Sequence, residues 1–339
     1  VGITFTPTSV GIMTGTTSVT VTTNAGTTST LSVQVTATVV PPAVLLISDG
    51  PTYDFGSQTM GTSTDKTFTL SNLGGMDASS ISGSVIAAPY SFKGGTFPGT
   101  GGTCAGTLAS GSTCTFVGSF APVSAGLSGA TYTMNYNNGV SSTSTARPVS
   151  GTGLNQALIT ISDAVAYDFG NVVVGSTPAA EKIFRLTNTG SAQATALVVN
   201  GLGAPFAFKG GAYPGTGGNC GTTLNSGAMC TVVVTFTPLT ASAFSDALDV
   251  AYHNGSSTVA TSRNISGTGV TPTTLTISDA ATYDFGTKNV GVKTDKVFTV
   301  TYAGTVPATS VVGTGLSSPY SFKGGSFPGT GGTCGTTIS

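Results

Sequence analysis

The chain has 339 residues, of which only 7% are charged, and its formal net charge is −1. It has neither a basic patch nor a charged tail, which argues against a nucleic-acid partner. No apolar run approaches the roughly 20 residues of a spanning helix, so we expect no membrane span in this segment.

The composition favours strands over helices. The chain contains 49 glycines and 16 prolines. The segments between them are rich in Thr, Val, Phe and Tyr, which favour β-structure. We therefore expect an all-β fold.

Three short motifs recur along the chain. They are ISD at 47–49, 161–163 and 277–279, YDFG at 53–56, 167–170 and 283–286, and SGTG at 150–153 and 266–269. The repeat is thus about 115 residues long, which exceeds solenoid periods and lets one unit bury its own core. The pattern predicts tandem globular domains.

The first complete repeat contains a series of short segments that we predict to be strands. They lie near 44–48, 52–55, 66–72, 80–87, 113–121, 130–137 and 141–149. Short strands separated by Gly/Pro turns are typical of a β-sandwich. Asn138-Gly139 predicts a type I′ turn in the last hairpin, and Asn254-Gly255 predicts the same turn in the next repeat. Short linkers predict that the sandwiches are arranged as a rod.

Alignment of the repeats divides the chain into four segments. They are 1–43, the second half of a domain, 44–154 and 155–270, two complete repeats, and 271–339, the first half of another repeat. Phe5 matches Phe120 of the first complete repeat. Two interpretations stay open: half-domains of neighbouring molecules complete each other in a filament, or the sequence is a window cut from a longer chain.

The five cysteines occupy repeated positions. Cys104 and Cys114 are ten residues apart, and Cys220 and Cys230 repeat that spacing, whereas Cys334 stands alone. Zinc sites prefer closer pairs with further ligands nearby, so local disulfides fit better. Disulfides place the protein outside the cytosol.

A glycine-rich segment ends on each of three cysteines, Cys104, Cys220 and Cys334. It reads FKGGTFPGTGGTC at 92–104 and returns at 208–220 and 322–334. A lysine in such a loop could cradle a phosphate, but Lys93 precedes the glycines and no helix is expected to follow. We predict instead a structural turn in which glycines supply positive φ, Phe92 and Phe97 pack inward and a disulfide pins the loop.

Signals for catalysis or metal binding are weak. His253 is the single histidine and precedes a turn, so no catalytic triad can recur in each repeat. Paired aspartates could bind Ca²⁺ together with loop carbonyls, although no calcium-loop motif is present. These candidate ligands are Asp49 and Asp54, Asp163 and Asp168, and Asp279 and Asp284. We expect no enzyme activity and no cofactor.

The few charges recur at fixed places, which predicts that they are paired. We predict that Lys93 binds Asp54 or Asp49 and holds the glycine loop against the first strand. The corresponding predicted pairs are Lys209 with Asp168 and Lys323 with Asp284. A lysine isopeptide crosslink is the alternative, but no third, proton-shuttling acid recurs near the lysine.

The ordered set of motifs resembles a known family. D-F-G is followed by G-x-x-x-x-K-x-F-x-[LV]-x-[NY]-x-G, PYSFKGG, C-x₉-C, F-x-P and a terminal SGTG. This set resembles the bacterial ASPM-SPD2-Hydin-like immunoglobulin-fold repeats of "choice-of-anchor D" surface proteins. The likeness covers 44–270 fully, 271–339 in part and 1–43 loosely. It implies immunoglobulin-like sandwiches in a secreted or surface-anchored bacterial protein, with no catalytic residues to carry over.

Two functions follow as expectations. The first is an extracellular structural array such as a fibre, stalk or adhesin shaft, whose partner is either a further copy of itself or the rest of a longer surface chain. The second is a surface adhesion module that binds a glycan or Ca²⁺ through its loops. In that case Tyr213 and Tyr252 would stack on sugars.

Overall fold

The computed structural model describes residues 2–339, and every regular element in that range is a β-strand. The chain forms two compact units, one ending at Gln156 and the other beginning at Ala157. Within the described range, no helix is long and apolar enough to cross a membrane.

The described part of the first unit contains eleven strands. They are β1 (Gly11–Thr22), β2 (Thr28–Val39), β3 (Leu45–Ile47), β4 (Tyr53–Thr59), β5 (Thr64–Asn72), β6 (Ala78–Gly83), β7 (Tyr90–Phe92), β8 (Thr107–Leu108), β9 (Thr113–Phe120), β10 (Gly126–Asn137) and β11 (Ser142–Leu154). One sheet has the order β3-β5-β9-β7 and the other the order β4-β11-β10-β6-β8. Together they form an immunoglobulin-like sandwich, while β1 and β2 form a separate hairpin.

The second unit repeats this sandwich and adds a less complete segment. Its strands are β12 (Ile159–Ile161), β13 (Ala166–Val173), β14 (Ala180–Asn188), β15 (Thr195–Val199), β16 (Phe206–Phe208), β17 (Met229–Phe236), β18 (Ala243–His253), β19 (Thr258–Val270), β20 (Thr274–Ile277), β21 (Val300–Ala303), β22 (Ala308–Thr309) and β23 (Thr337–Ile338). The two sheets of the sandwich are β12-β14-β17-β16 and β13-β19-β18-β15. Beyond them, β20 pairs with β21 and β22 with β23.

Alternation along the central strands builds each core. On β5, Phe68 and Leu70 are buried while Thr67 faces outward, because successive residues of a strand point to opposite faces. On β14, Phe184 and Leu186 occupy the equivalent buried positions. The two sheets of each sandwich therefore meet through side chains that the sequence pattern identifies.

Stacked aromatic rings lie at the centre of each core. The rings of Tyr90 and Phe120 stack at 5.0 Å in the first sandwich. Those of Phe206 and Phe236 stack at 4.8 Å in the second. Such pairs add about 0.5–1.5 kcal/mol beyond the stabilisation from the apolar area that they bury.

The predicted strands of the first repeat each overlap an observed strand, but the predicted turn is wrong. A type I′ turn has two central residues with positive φ. The loop between β10 and β11 instead spans 138–141, and in it Gly139 has positive φ while Asn138 does not. The side chain of Asn138 accepts hydrogen bonds from the two residues after the glycine, and Asn254 does the same after Gly255.

The segment 271–339 leaves exposed the aromatic residues that the complete units bury. Tyr320 is 57% exposed, whereas its counterpart Tyr90 is buried. Phe298, the counterpart of the buried Phe68, is also exposed. In this segment β20 and β21 form only a two-stranded sheet, so no second layer covers these rings.

Candidate functional site

The glycine loop extends the short strand β7 along β9. Lys93 donates its backbone N–H to Val117 O at 2.9 Å, and the N–H of Val117 donates to Pro98 O at 2.8 Å. Thr103 then donates to Thr115 O at 2.8 Å. The loop therefore satisfies backbone groups of β9 beyond the three residues of β7, and it covers a sheet edge that could otherwise pair with another chain.

Glycine is required where the loop approaches β9 most closely. Gly99 has a φ of +84°, and a Cβ built on it would lie 2.4 Å from Val117 O. Gly215 has a φ of +87° in the second unit, and its Cβ would lie 2.3 Å from Val233 O. An L side chain disfavours this φ and would also strike the neighbouring strand, which confirms the predicted structural role of these glycines.

The loop directs its N–H groups inward, which makes it a poor phosphate cradle. The N–H groups of Gly95, Gly99 and Gly102 donate to the carbonyls of Phe92, Thr96 and Gly99 within the same loop, at 2.7–2.8 Å. A phosphate-binding loop needs such groups free to face its ligand. The geometry favours the structural turn over the phosphate site.

The two predicted disulfides are present. Cys104 bonds to Cys114 across 4.8 Å between Cα atoms, and Cys220 bonds to Cys230 across 4.9 Å. Each bridge fastens the end of the glycine loop to the strand that the loop covers, because Cys114 and Cys230 lie on β9 and β17.

The inward packing predicted for the loop aromatics is also confirmed, since the rings of Phe92 and Phe97 meet edge to face at 5.6 Å. Cys334 is a free thiol.

The predicted partner of Lys93 is wrong. Lys93 Nζ lies 2.9 Å from Asp65 Oδ2, and neither Asp54 nor Asp49 binds it. The reason is topological: β7 and β5 flank β9 in one sheet, whereas Asp54 lies on β4 in the other sheet. Asp49, in turn, follows β3 at the opposite edge of the first sheet.

The same correction applies to the other two repeats. Lys209 pairs with Glu181 at 2.8 Å instead of Asp168, and Lys323 pairs with Asp295 at 2.7 Å instead of Asp284. These are non-covalent contacts between partly exposed groups.

Hydrogen bonds from Ser119 and then Lys93 hold the pKa of Asp65 below its usual value. The pair therefore favours the ionised carboxylate.

A second lysine forms a cluster that recurs three times. Lys66 Nζ lies 2.9 Å from Asp49 Oδ1 and 4.8 Å from the centre of the Tyr53 ring. Hydrogen bonds from Lys66 and Ser48 lower the pKa of Asp49. The equivalent clusters are Lys182 with Asp163 and Tyr167, and Lys296 with Asp279 and Tyr283.

These contacts occupy the carboxylates that were candidate calcium ligands. Asp49, Asp163 and Asp279 each bind a lysine, whose positive charge competes with a cation. The other three aspartates each accept the backbone N–H of the glycine two residues on; they are Asp54, Asp168 and Asp284. No group of three His, Cys, Asp or Glu side chains close enough to hold a metal occurs within residues 2–339.

A buried arginine links the last strand of each sandwich, β11 or β19, to the turn after its first strand, β3 or β12. Arg147 on β11 donates from Nη1 to Pro51 O at 2.9 Å and from Nη2 to Ile47 O. Gly50 leaves the space for the guanidinium, since a Cβ there would lie 2.4 Å from Nη1. Arg263 on β19 donates to Ile161 O in the same way. Arg147 and Arg263 occupy equivalent positions of the two complete repeats, but the sequence alone does not indicate which groups they bind.

The remaining candidate residues also have structural partners. His253 Nδ1 accepts the backbone N–H of Gly255 at 3.1 Å. Tyr213 packs edge to face on Phe208, and its hydroxyl donates to Gly221 O. Tyr252 is buried, so its ring has no exposed face for a sugar. Burial raises the pKa of Tyr213 to about 12. None of these contacts favours the glycan-binding interpretation.

Comparisons with known proteins identify no family, since no family model and no curated protein matches the chain. A Porphyromonas gingivalis W83 protein of unknown function is 10% identical, and the match covers 66% of this chain and 99% of that one with a TM-score of 0.27. The ASH/PapD-like domain 7 of human CEP192 is 17% identical over 34% of this chain and 88% of that one, with a TM-score of 0.25. A protocadherin gammaB7 EC3-6 structure is 10% identical over 80% of this chain and 60% of that one, with a TM-score of 0.38. At these TM-scores the matches support no functional inference, and membership of the "choice-of-anchor D" repeats stays a prediction.

Proposed function

We propose that this protein is an extracellular structural array, the shaft of a bacterial surface fibre, stalk or adhesin. The observation that supports this best is that the recurring polar residues bind other groups of their own unit. The glycine loop covers a strand, the lysines bind carboxylates of the same unit, and the arginines fasten a turn. A module that only has to keep its shape needs these contacts and no more.

The chemistry of the units suits an exposed location. Disulfides form and persist outside reducing compartments, and both complete units contain one. Lysine side chains are engaged in ion pairs and the two recurring arginines are buried. Trypsin cuts after these residues, so the complete units offer it few accessible sites.

In its finer form, the proposal is that copies join head to tail. The hairpin β1–β2 of one copy would complete residues 271–339 of the next, by adding strands to an open sheet. Phe5 is 52% exposed and matches the buried Phe120, while Tyr320 is 57% exposed and matches the buried Tyr90. Each of these two rings lacks the partner that its counterpart has in the complete units.

The complete units define the expected interface. Phe120 stacks on Tyr90 and Phe236 on Phe206, so Phe5 of one copy would stack on Tyr320 of another. Apolar residues of β1 also match core residues of the complete unit. Val19, for example, matches the buried Met134 but is exposed.

The hairpin departs from this template at a facing pair of residues. The register pairs Tyr132 with Arg147 and pairs Thr17 with Val33, so Thr17 and Val33 stand where the complete unit has its buried tyrosine and its arginine. A joint between copies would therefore lack the arginine contact with the turn after β20. We expect the joint to be weaker than the interior of a complete unit.

Negative-stain electron microscopy of the chain, purified under oxidising conditions, tests head-to-tail joining. We expect filaments from the wild type and from the control Val85→Asp, whose site is fully exposed on a complete unit. Phe5→Asp should abolish them, because a carboxylate cannot replace a buried ring. Separate particles from the wild type would overturn joining between copies. In that case, further residues of a longer chain would have to cover the exposed rings of 271–339.

A further inference from the structure

The entry and exit strands of each complete unit are direct neighbours. β4 follows the first short strand, β11 is the last strand, and the two run parallel, from the pair Tyr53–Val149 to the pair Thr59–Leu154. The hydrogen bond from Met60 N–H to Leu154 O, at 2.9 Å, extends this contact. In the second unit, β13 and β19 pair in parallel in the same way.

Parallel pairing decides how tension acts on the unit. A pull on the ends of a unit draws β4 towards its start and β11 towards its end, so the two strands slide along each other. All the hydrogen bonds of the ladder then carry the load together. The antiparallel hairpin β10–β11, pulled apart at its open end, would instead lose its bonds one after another.

The buried arginine lies where tension enters this strand pair. Arg147 precedes the paired residue Val149 on β11, and it binds the carbonyls of Ile47, at the end of β3, and Pro51, just before β4. It thereby fastens the incoming chain to the outgoing strand. Arg263 binds Ile161 O, at the end of β12, in the second unit.

We propose that each complete unit is a force-bearing module, in which the parallel pair of entry and exit strands is the clamp and the arginine fastens its loaded end. This inference rests on the proposed function, since an array at a surface is what would be under tension. The clamp belongs to a single unit, however. Its test and the test of head-to-tail joining can therefore fail independently.

Single-molecule pulling on the full chain in two directions tests the clamp, with Cys334→Ser present to remove the free thiol. Handles at Val44→Cys and Gln156→Cys load the first sandwich from end to end and shear the clamp. Handles at Ser63→Cys and Gln156→Cys separate β4 from β11 at their C-terminal ends and unzip it. We expect an unfolding force about twofold higher in the first geometry. Equal forces would overturn the proposal, because the folded unit is the same in both.

A matched pair of substitutions tests the arginine. Arg147→Met keeps the aliphatic stem but removes both carbonyl contacts, while Ile81→Ala weakens the core on β6, away from the clamp. At similar loss of equilibrium stability, Arg147→Met should lower the end-to-end unfolding force and Ile81→Ala should leave it nearly unchanged. Equal loss of force in both variants would show that the arginine contributes only general stability.

Discussion

Lys66 Nζ lies 2.9 Å from Asp49 Oδ1 while resting 4.8 Å from the centre of the Tyr53 ring. The side chains of Lys66 and Asp49 are 26% and 32% exposed, so water screens their attraction only in part. The carboxylate and the ring contact the same ammonium group. Removal of either one should therefore weaken the interaction between the ammonium group and the other. The cluster thus links the turn after β3 to β5, which carries Lys66, and to β4, which carries Tyr53.

We expect Lys66→Met to lower the free energy of unfolding by about 0.5–1 kcal/mol, the usual range for a partly exposed ion pair with a cation–π contact. The check is urea denaturation, with Arg185→Met as a control, since Arg185 has no counterpart in the other repeats. In a double-mutant cycle with Asp49→Asn, the stability lost in the double variant should be smaller than the sum of the losses in the two single variants. Full additivity would show that the two groups do not interact.

Stability should fall in acid. Side-chain hydrogen bonds hold the folded pKa values of Asp49, Asp65 and Asp163 below the usual value of an aspartate. A lowered folded pKa stabilises the protein above the unfolded value, and this stabilisation is lost as pH falls through the folded value.

The unfolding midpoint in urea should therefore change little between pH 7 and pH 5 and drop below about pH 4. Asp49→Asn should show a smaller drop than the wild type. If the drop is as large in the variant, Asp49 does not contribute to the acid response.

Loss of one disulfide should destabilise its own unit. For a closed loop of this length the chain-entropy estimate is about 2–3 kcal/mol. We expect a lower melting temperature for the Cys104→Ala/Cys114→Ala double variant and a similar shift when reductant is added to the wild type. Cys334→Ser should melt like the wild type. An unchanged melting temperature in the double variant would contradict the role given to the bridge.

The glycines of the loop should differ in their tolerance of a side chain. Gly101 has a φ of +90° with open space around it, so Gly101→Ala should cost only the left-handed backbone penalty of about 1–2 kcal/mol. Gly99→Ala should cost more, because its Cβ would also lie 2.4 Å from Val117 O. Denaturation of the two variants side by side gives the comparison. Equal losses would show that the close approach to β9 is unimportant.

Local pattern was enough to predict the fold class, the disulfides and the main strands. The ten-residue cysteine spacing repeats, and the alternation at Phe68 and Leu70 is long enough to identify β5. β7 and β8 were missed because three and two residues are too few to show alternation. The hairpin turn was wrong because Asn138 caps the loop with its side chain instead of adopting positive φ.

The ion pairs show what sequence alone leaves undecided. Repetition indicated that Lys93 has a fixed partner, but only the order of strands in the sheet selects Asp65 over Asp54. Similarly, the recurrence of Arg147 is visible in the sequence. Its role is not, because it depends on the carbonyls of a turn about one hundred residues earlier in the chain.

The measurement that tests head-to-tail joining most directly is disulfide trapping between two copies that each carry one free, introduced cysteine besides the two native disulfides. Ser150 pairs with Asp54 in the complete unit, and the equivalent positions are Thr36 and Asp284. Thr36→Cys and Asp284→Cys copies, each with Cys334→Ser, would be mixed and oxidised. We predict a covalent dimer in the mixture, reduced by Phe5→Asp and absent from either copy alone. A mixture that stays monomeric would contradict completion of one copy by another.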